Sequence, residues 1–157
     1  MFERIVLAVD SSDQARGAVA AAVDLATKSR GEVLIVHVHD TGFVSRETVD
    51  AATRDEARLL AEAALDVLAR KVARASSGLR VAQSAGVARQ ILHAAKDFGA
   101  DTIVLGSRGP GGFAGLPLGS VAHRVIQLAD CPVVVARVAE ATAATHARDE
   151  GQPATAA

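Results

Sequence analysis

The run Arg4-Ile5-Val6-Leu7-Ala8-Val9-Asp10 is the most informative stretch of the sequence. It is continuously apolar rather than alternating, as expected of a central parallel strand covered on both faces. The next residues are of a different kind. Ser11-Ser12-Asp13 offers N-cap residues for a helix that reaches about Ser29, where Arg30-Gly31 marks the stop. A second β-branched run, Glu32 to His39, comes next, and the alternation of short strand-like runs with longer Ala-rich helical stretches continues along the chain.

The stretch from about Arg46 to Ala75 places Leu60, Ala64, Val67, Leu68 and Val72 on one stripe of a long helix. Arg58, Glu62, Asp66, Arg70 and Arg74 lie on the opposite face and read as a solvated surface. Ser76-Ser77-Gly78 is expected to break that helix, with a third strand over Leu79 to Ser84. A helix with Ala88, Ile91, Leu92 and Ala95 on one face then ends at Phe98-Gly99. The fourth strand is Asp101 to Gly106, a short helix runs from Ser120 to about Ala129, and Cys131 to Ala136 forms the fifth strand. Right-handed crossovers turn this order into a doubly wound parallel α/β sheet, with its ligand crevice beyond the carboxyl ends of the strands. The domain is expected over residues 1–138. Residues 139–157, rich in Ala, Thr and charges without period, are expected to be a disordered tail.

Composition limits what the crevice could serve. Of 157 residues, 50% are hydrophobic and 22% charged, with 17 Lys+Arg against 18 Asp+Glu. A chain of this length can bury roughly 68–70% of its unfolded surface, so one self-sufficient domain is expected. The near-neutral charge and the 3% aromatic content, all Phe, argue against nucleic acid, which needs a basic face or stacking platforms. No apolar run approaches the ~20 residues of a membrane span. The lone Cys131 and the absence of a signal-like opening point to the cytoplasm.

Gly106, Gly109, Gly111, Gly112, Gly115 and Gly119 crowd the loop between the fourth strand and the next helix. Glycines gather where backbone comes close to a ligand or takes positive φ. With the helix dipole and free N–H groups at Gly119, Ser120 and Val121, the loop reads as a phosphate cradle. Its bland alternative is a plain flexible loop. No lysine precedes Ser120, so the Walker pattern fails. Gly109-Pro110-Gly111-Gly112-Phe113-Ala114 matches a relaxed dinucleotide fingerprint, but it follows the fourth strand and Pro117 interrupts the helix that should start there.

Gly106, Gly109, Gly119 and Ser120 fit Gly-x2-Gly-x9-Gly-Ser/Thr, and through this pattern the chain resembles the universal stress protein family. Asp10-Ser11-Ser12, His37-Val38, Gly86-Val87-Ala88, Ala100 to Gly109, Phe113-Ala114-Gly115 and Cys131-Pro132-Val133 extend the resemblance over roughly residues 2–137. It implies a stress-induced cytosolic homodimer with a five-stranded sheet of the adenine nucleotide α-hydrolase type, in the order 3-2-1-4-5. In the branch that carries the glycine pattern it also implies bound ATP, or AMP or ADP, with Mg.

By position, the resemblance puts the backbone around Ala8, Val9 and Val38 beside adenine and Asp10 at the ribose or at a phosphate-bound metal ion. Gly106 and Gly109 then line the ribose and phosphate path, while Gly119, Ser120 and Val121 donate to the phosphates. The sequence departs from the commonest family loop at Pro117 and Ala122.

Several residues keep a second reading. Asp10 could cap the following helix, and Ser120 could be merely a first-turn residue. Arg108 could reach a phosphate or simply be solvated. His37 and His39 share a strand face but lack a third metal ligand in register, so packing and hydrogen bonding account for them. Cys131 reads as a small buried hydrophobe. No nucleophilic triad can be assembled, and no catalytic residue is assigned.

The leading expectation is an ATP-dependent stress regulator or sensor with an unidentified protein partner. The alternatives are a nucleotide-free homodimer pairing through Val133, Val134 and Val135, a slow ATPase, and an enzyme using the crevice for nucleotidyl or flavin-linked transfer.

Overall fold

The structure is a computed structural model that describes residues 1–10, 12, 14–40, 55, 59, 62–64, 66, 70, 74–82, 86–108 and 118–137. Its elements are β1 (Arg4–Val9), α1 (Gln14–Ser29), β2 (Glu32–Asp40), β3 (Arg74–Ala82), α2 (Val87–Phe98), β4 (Thr102–Gly106), α3 (Ser120–Leu128) and β5 (Val133–Ala136). The strands form one parallel sheet in the order β3-β2-β1-β4-β5.

Alternation along β1 divides the core between the two faces of the sheet. Ile5, Leu7 and Val9 face α1, where Ala18, Ala22, Val23 and Ala26 meet them together with Val33, Ile35, Val104 and Ala64. Val6 faces the other way. It packs with Val36, Ile103 and Leu105 against Ala88, Ile91, Ala94 and Ala95 of α2 and Ala122 and Val125 of α3. With Ile5, Val6 and Leu7 all at 0% exposure, the continuous apolar run is explained by burial on both faces. Among the described residues no helix is long and apolar enough to cross a membrane.

The third strand differs from expectation. Ser76-Ser77-Gly78 does not end a helix. The three residues lie inside β3, paired with Leu34, Ile35 and Val36, in a ladder that runs from Glu32↔Arg74 to Asp40↔Ala82. β2 pairs with β1 on one edge, and pairing the backbone donors and acceptors along the whole of its other edge outweighs the weak turn preference of Ser and Gly. The long helix therefore ends before Arg74. Of it, residues 55, 59, 62–64 and 66 are described as helical, and most of its proposed stripe, Leu60, Val67, Leu68 and Val72, lies outside the described residues, as do Arg58 and the tail 139–157. Its expected outer face is seen in part: Asp66 and Arg70 are exposed and ion-paired at 2.8 Å across one helical turn.

The stop of α1 is also built differently from a simple glycine cap. Arg30, not Gly31, takes the left-handed conformation, with φ +56°. Gly31 is needed for space, since a Cβ there would lie 2.3 Å from the Phe2 carbonyl oxygen. The Ser29 hydroxyl also bonds that oxygen, so the end of α1 is clamped against the residues entering β1. Asp101 clamps the same entry from the β4 side. Its Oδ1 accepts the Phe2 amide at 3.1 Å and its Oδ2 the Glu3 amide at 2.9 Å.

Candidate functional site

The chain winds outward through β2 and β3 on one side of β1 and through β4 and β5 on the other, so the strand order reverses between β1 and β4. α1 and α3, which follow those two strands, lie on opposite faces of the sheet, the arrangement that places a crevice at the strands' carboxyl ends. Asp10 follows β1 there, and Ser107 and Arg108 follow β4.

Ser12 joins the two sides. Its amide donates to Asp10 Oδ1 at 2.9 Å, and its hydroxyl lies within bonding distance of the same oxygen and of the Arg108 carbonyl, 3.2 Å away. The Asp10 carboxylate thus orders the first turn after β1 rather than capping α1 itself, which begins at Gln14. Short Asx turns of this type are how Asp shapes a loop.

Gly106 sits where β4 passes the start of α1. A Cβ on it would lie 3.0 Å from Gln14 Cβ and 3.2 Å from the Gln14 carbonyl carbon, so the glycine lets helix and strand approach. That is a packing requirement in addition to any part in a phosphate path.

Ser107 is the residue that sequence reasoning missed. It is 1% exposed and tied to three elements. Its amide donates to the Ala136 carbonyl at 2.9 Å, its carbonyl accepts the Gly119 amide at 2.7 Å, and its hydroxyl lies 3.5 Å from Gln14 Oε1. The available signal was its position directly after a buried strand, between two glycines of the spaced pattern.

Gly119 is the N-cap of α3, with φ −74° and ψ 158°, and no side chain caps the helix. Its carbonyl accepts the His123 amide at 2.9 Å. Ser120 is the first helical residue and is exposed; Val121 is half-buried. The first-turn amides of α3 thus begin with no side-chain oxygen drawn onto them, the arrangement that suits an anion.

The side chains on the backbone proposed beside adenine separate by face. Ala8 and Val38, both half-buried, pack on the α2/α3 side with Val87, Leu118 and Val121. Val9 turns to the α1 side, and its carbonyl is engaged by His37 Nδ1 at 2.9 Å. A carbonyl can only accept, so Nδ1 carries the proton, and hydrogen bonding accounts for His37 as expected. Gly109 lies outside the described residues, as do Pro117 and the side chain of His39.

Among the described residues no three His, Cys, Asp or Glu side chains gather to hold a metal ion. A single carboxylate such as Asp10 fits Mg only in the way Mg is usually held beside phosphates, by one or two carboxylates with the remaining ligands from phosphate oxygens and water. Cys131 is half-buried rather than buried, and burial pushes its thiol up, with Asp101 and Asp130 pushing it further.

Together these features define an open, doubly wound α/β protein with its crevice at the switch point of a parallel sheet. Within that class the chain belongs to the universal stress protein family, whose profile matches residues 1–137. A universal stress protein of Bacillus subtilis is 32% identical over 155 residues, covering 87% of this chain and 100% of the relative. The structure of a universal stress protein from Archaeoglobus fulgidus superposes with a TM-score of 0.69 at 27% identity, over 87% of this chain and 99% of the other. A universal stress protein structure from the same organism, in complex with dAMP, gives 0.67 at 25% identity over 85% and 96%.

Proposed function

We propose that this protein binds an adenine nucleotide, ATP or its shorter forms ADP and AMP, at the carboxyl ends of the parallel strands, and that it acts as a nucleotide-dependent regulator of the stress response. The observation that carries this reading is that Ala8 and Val38, near the carboxyl ends of β1 and β2, and Leu118 and Val121, at the start of α3, are half-buried against the same core cluster on one face of the sheet. An apolar surface next to a few convergent polar groups is what a base with a phosphate tail requires. The backbone around Ala8, Val9 and Val38 borders the adenine, Asp10 faces the ribose or a nucleotide-bound Mg, Gly106 and Gly109 line the path between, and Gly119, Ser120 and Val121 donate to the phosphates. The dAMP complex of the Archaeoglobus fulgidus protein supports the same ligand class.

Mg, when bound with the nucleotide, would neutralise phosphate charge; Asp10 is the residue that would hold it. Among the described residues no group is positioned as a general base for water, and we read the protein as a sensor rather than a dedicated catalyst. The sensor is further read as a homodimer pairing along β5. That strand is half-buried throughout and hydrogen-bonded on one side to β4, with its other side at the edge of the sheet.

A thermal melt with and without millimolar Mg-ATP tests the nucleotide reading, followed by circular dichroism and paired with mass detection of nucleotide released on denaturation. A ligand that binds the folded state raises its melting temperature. Neither a shift nor released nucleotide would favour the nucleotide-free dimer.

A further inference from the structure

Arg108 leaves the end of β4 with its main chain fixed from two directions. The preceding Ser107 is tied to α1, β5 and α3, and the Arg108 carbonyl accepts from the Ser12 hydroxyl. Its side chain is half-buried, and its Nε is enclosed yet has no hydrogen-bond acceptor among the described residues. A guanidinium carries donors and no acceptor, so this buried N–H has nothing of its own to pair with. Buried donors are nearly always paired, and an orphan at the mouth of a crevice indicates a ligand acceptor. The Asp10 carboxylate lies across the Ser12 bridge from the Arg108 carbonyl, so a polyanion entering here meets a negative group and needs a fixed cation beside it.

We infer that Arg108 is a phosphate-reading residue of the crevice, whose guanidinium Nε–H donates to a phosphate oxygen of the bound nucleotide and makes affinity depend on the number of phosphates. This rests on the adenine-nucleotide reading and deepens it. Planar, delocalised and permanently charged, guanidinium matches phosphate oxygens more closely than an ammonium does. The same buried donor destabilises the protein in the absence of nucleotide, as expected where binding groups are held ready at a cost in fold stability.

The test is calorimetric titration of adenosine, AMP and ATP into the full chain and into Arg108→Gln and Arg108→Lys, with circular dichroism to verify folding. For Arg108→Gln, adenosine affinity should stay within about twofold, while AMP and then ATP lose progressively more, ATP by about tenfold or greater. Arg108→Lys should recover part of the ATP loss through its charge. Without nucleotide, Arg108→Gln should melt about 2–4 °C above the parent, because the orphaned charged donor is gone.

Equal losses for all three ligands, or none, would overturn the assignment while leaving the nucleotide reading intact. If the parent protein binds none of the three, the nucleotide reading fails and the assignment falls with it. If the Gln variant does not fold, the Lys variant decides: a loss that grows from adenosine to ATP upholds the assignment, and a uniform one rejects it.

Discussion

The Gly119 amide donates to the Ser107 carbonyl at 2.7 Å, so the cap of α3 is fastened to the residue that leaves β4. The helix start does not depend on the intervening glycine loop for its position. The backbone at Gly119, with φ −74° and ψ 158°, is open to any residue. Gly119→Val should therefore fold with an unchanged circular dichroism spectrum. Its branched side chain would stand beside the first amides of α3, and ATP affinity should drop about tenfold or more, the scale of losing a charge-assisted hydrogen bond. Calorimetric titration reads the result, and unchanged affinity would mean that phosphates do not sit at this helix.

At the other end of α1 the two halves of the stop should respond in opposite directions. Arg30 has φ +56°, which costs a residue with a Cβ about 1 kcal/mol, so Arg30→Gly should be neutral or raise the melting temperature slightly. Gly31→Ala should lower it by several degrees, because the new Cβ meets the Phe2 carbonyl oxygen and the backbone must move. Equal melting of both variants and the parent would contradict the clamp.

Acid should weaken the same region. Burial raises the Asp101 pKa, but the Glu3 amide, the Thr102 hydroxyl, the Arg4 backbone and the N-terminal ammonium together outweigh it and hold the carboxyl below its ordinary value. A carboxyl that is more acidic when folded adds stability above its unfolded pKa, and that stability is lost as pH falls through the folded one. Between pH 5 and 7 the contribution should be constant, then fade below about pH 4. Asp101→Asn should cost about 1 kcal/mol or less at pH 7, given the partial exposure, and should flatten the acid limb. Urea melts from pH 2.5 to 7 would show it.

The edge strand gives a test of assembly. Ile103 and Ser107 donate to the Pro132 and Ala136 carbonyls, so by alternation the backbone groups of Val133 and Val135 face outward from the sheet. Val135→Pro removes an outward N–H without breaking the β4 ladder. Light scattering should show the parent as a dimer and the variant as a monomer with the same fold. A dimer in both would place the interface elsewhere.

How legible these features were depended on how local their causes are. β1 was readable because burial on both faces writes a continuous apolar run, and the start of α3 because Gly119-Ser120 follows the glycine loop at a fixed spacing. β3 was misplaced because its start is set by the length of β2, a partner across the sheet, while Ser76-Ser77-Gly78 carries a local signal for a turn. Arg30 and Gly31 together gave the position of the stop but not its mechanism, which lies in the Phe2 oxygen. Ser107 has an unremarkable side chain, and its importance comes from Ala136, Gly119 and Gln14, none adjacent to it in sequence. Ala8 and Val38 parted from Val9 simply because successive strand residues point to opposite faces.

β1 is made first yet stands in the middle of the sheet, between β2 and β4. Phe2 meets its partner Asp101 across 99 positions of chain. At synthesis rates of about 5–20 residues per second, the first strand waits roughly 5–20 s after leaving the ribosome before its second neighbour exists. The crevice draws on Asp10, Arg108 and Gly119, so it cannot assemble on any shorter nascent chain. Capture of a ligand there would therefore report that translation has passed the start of α3.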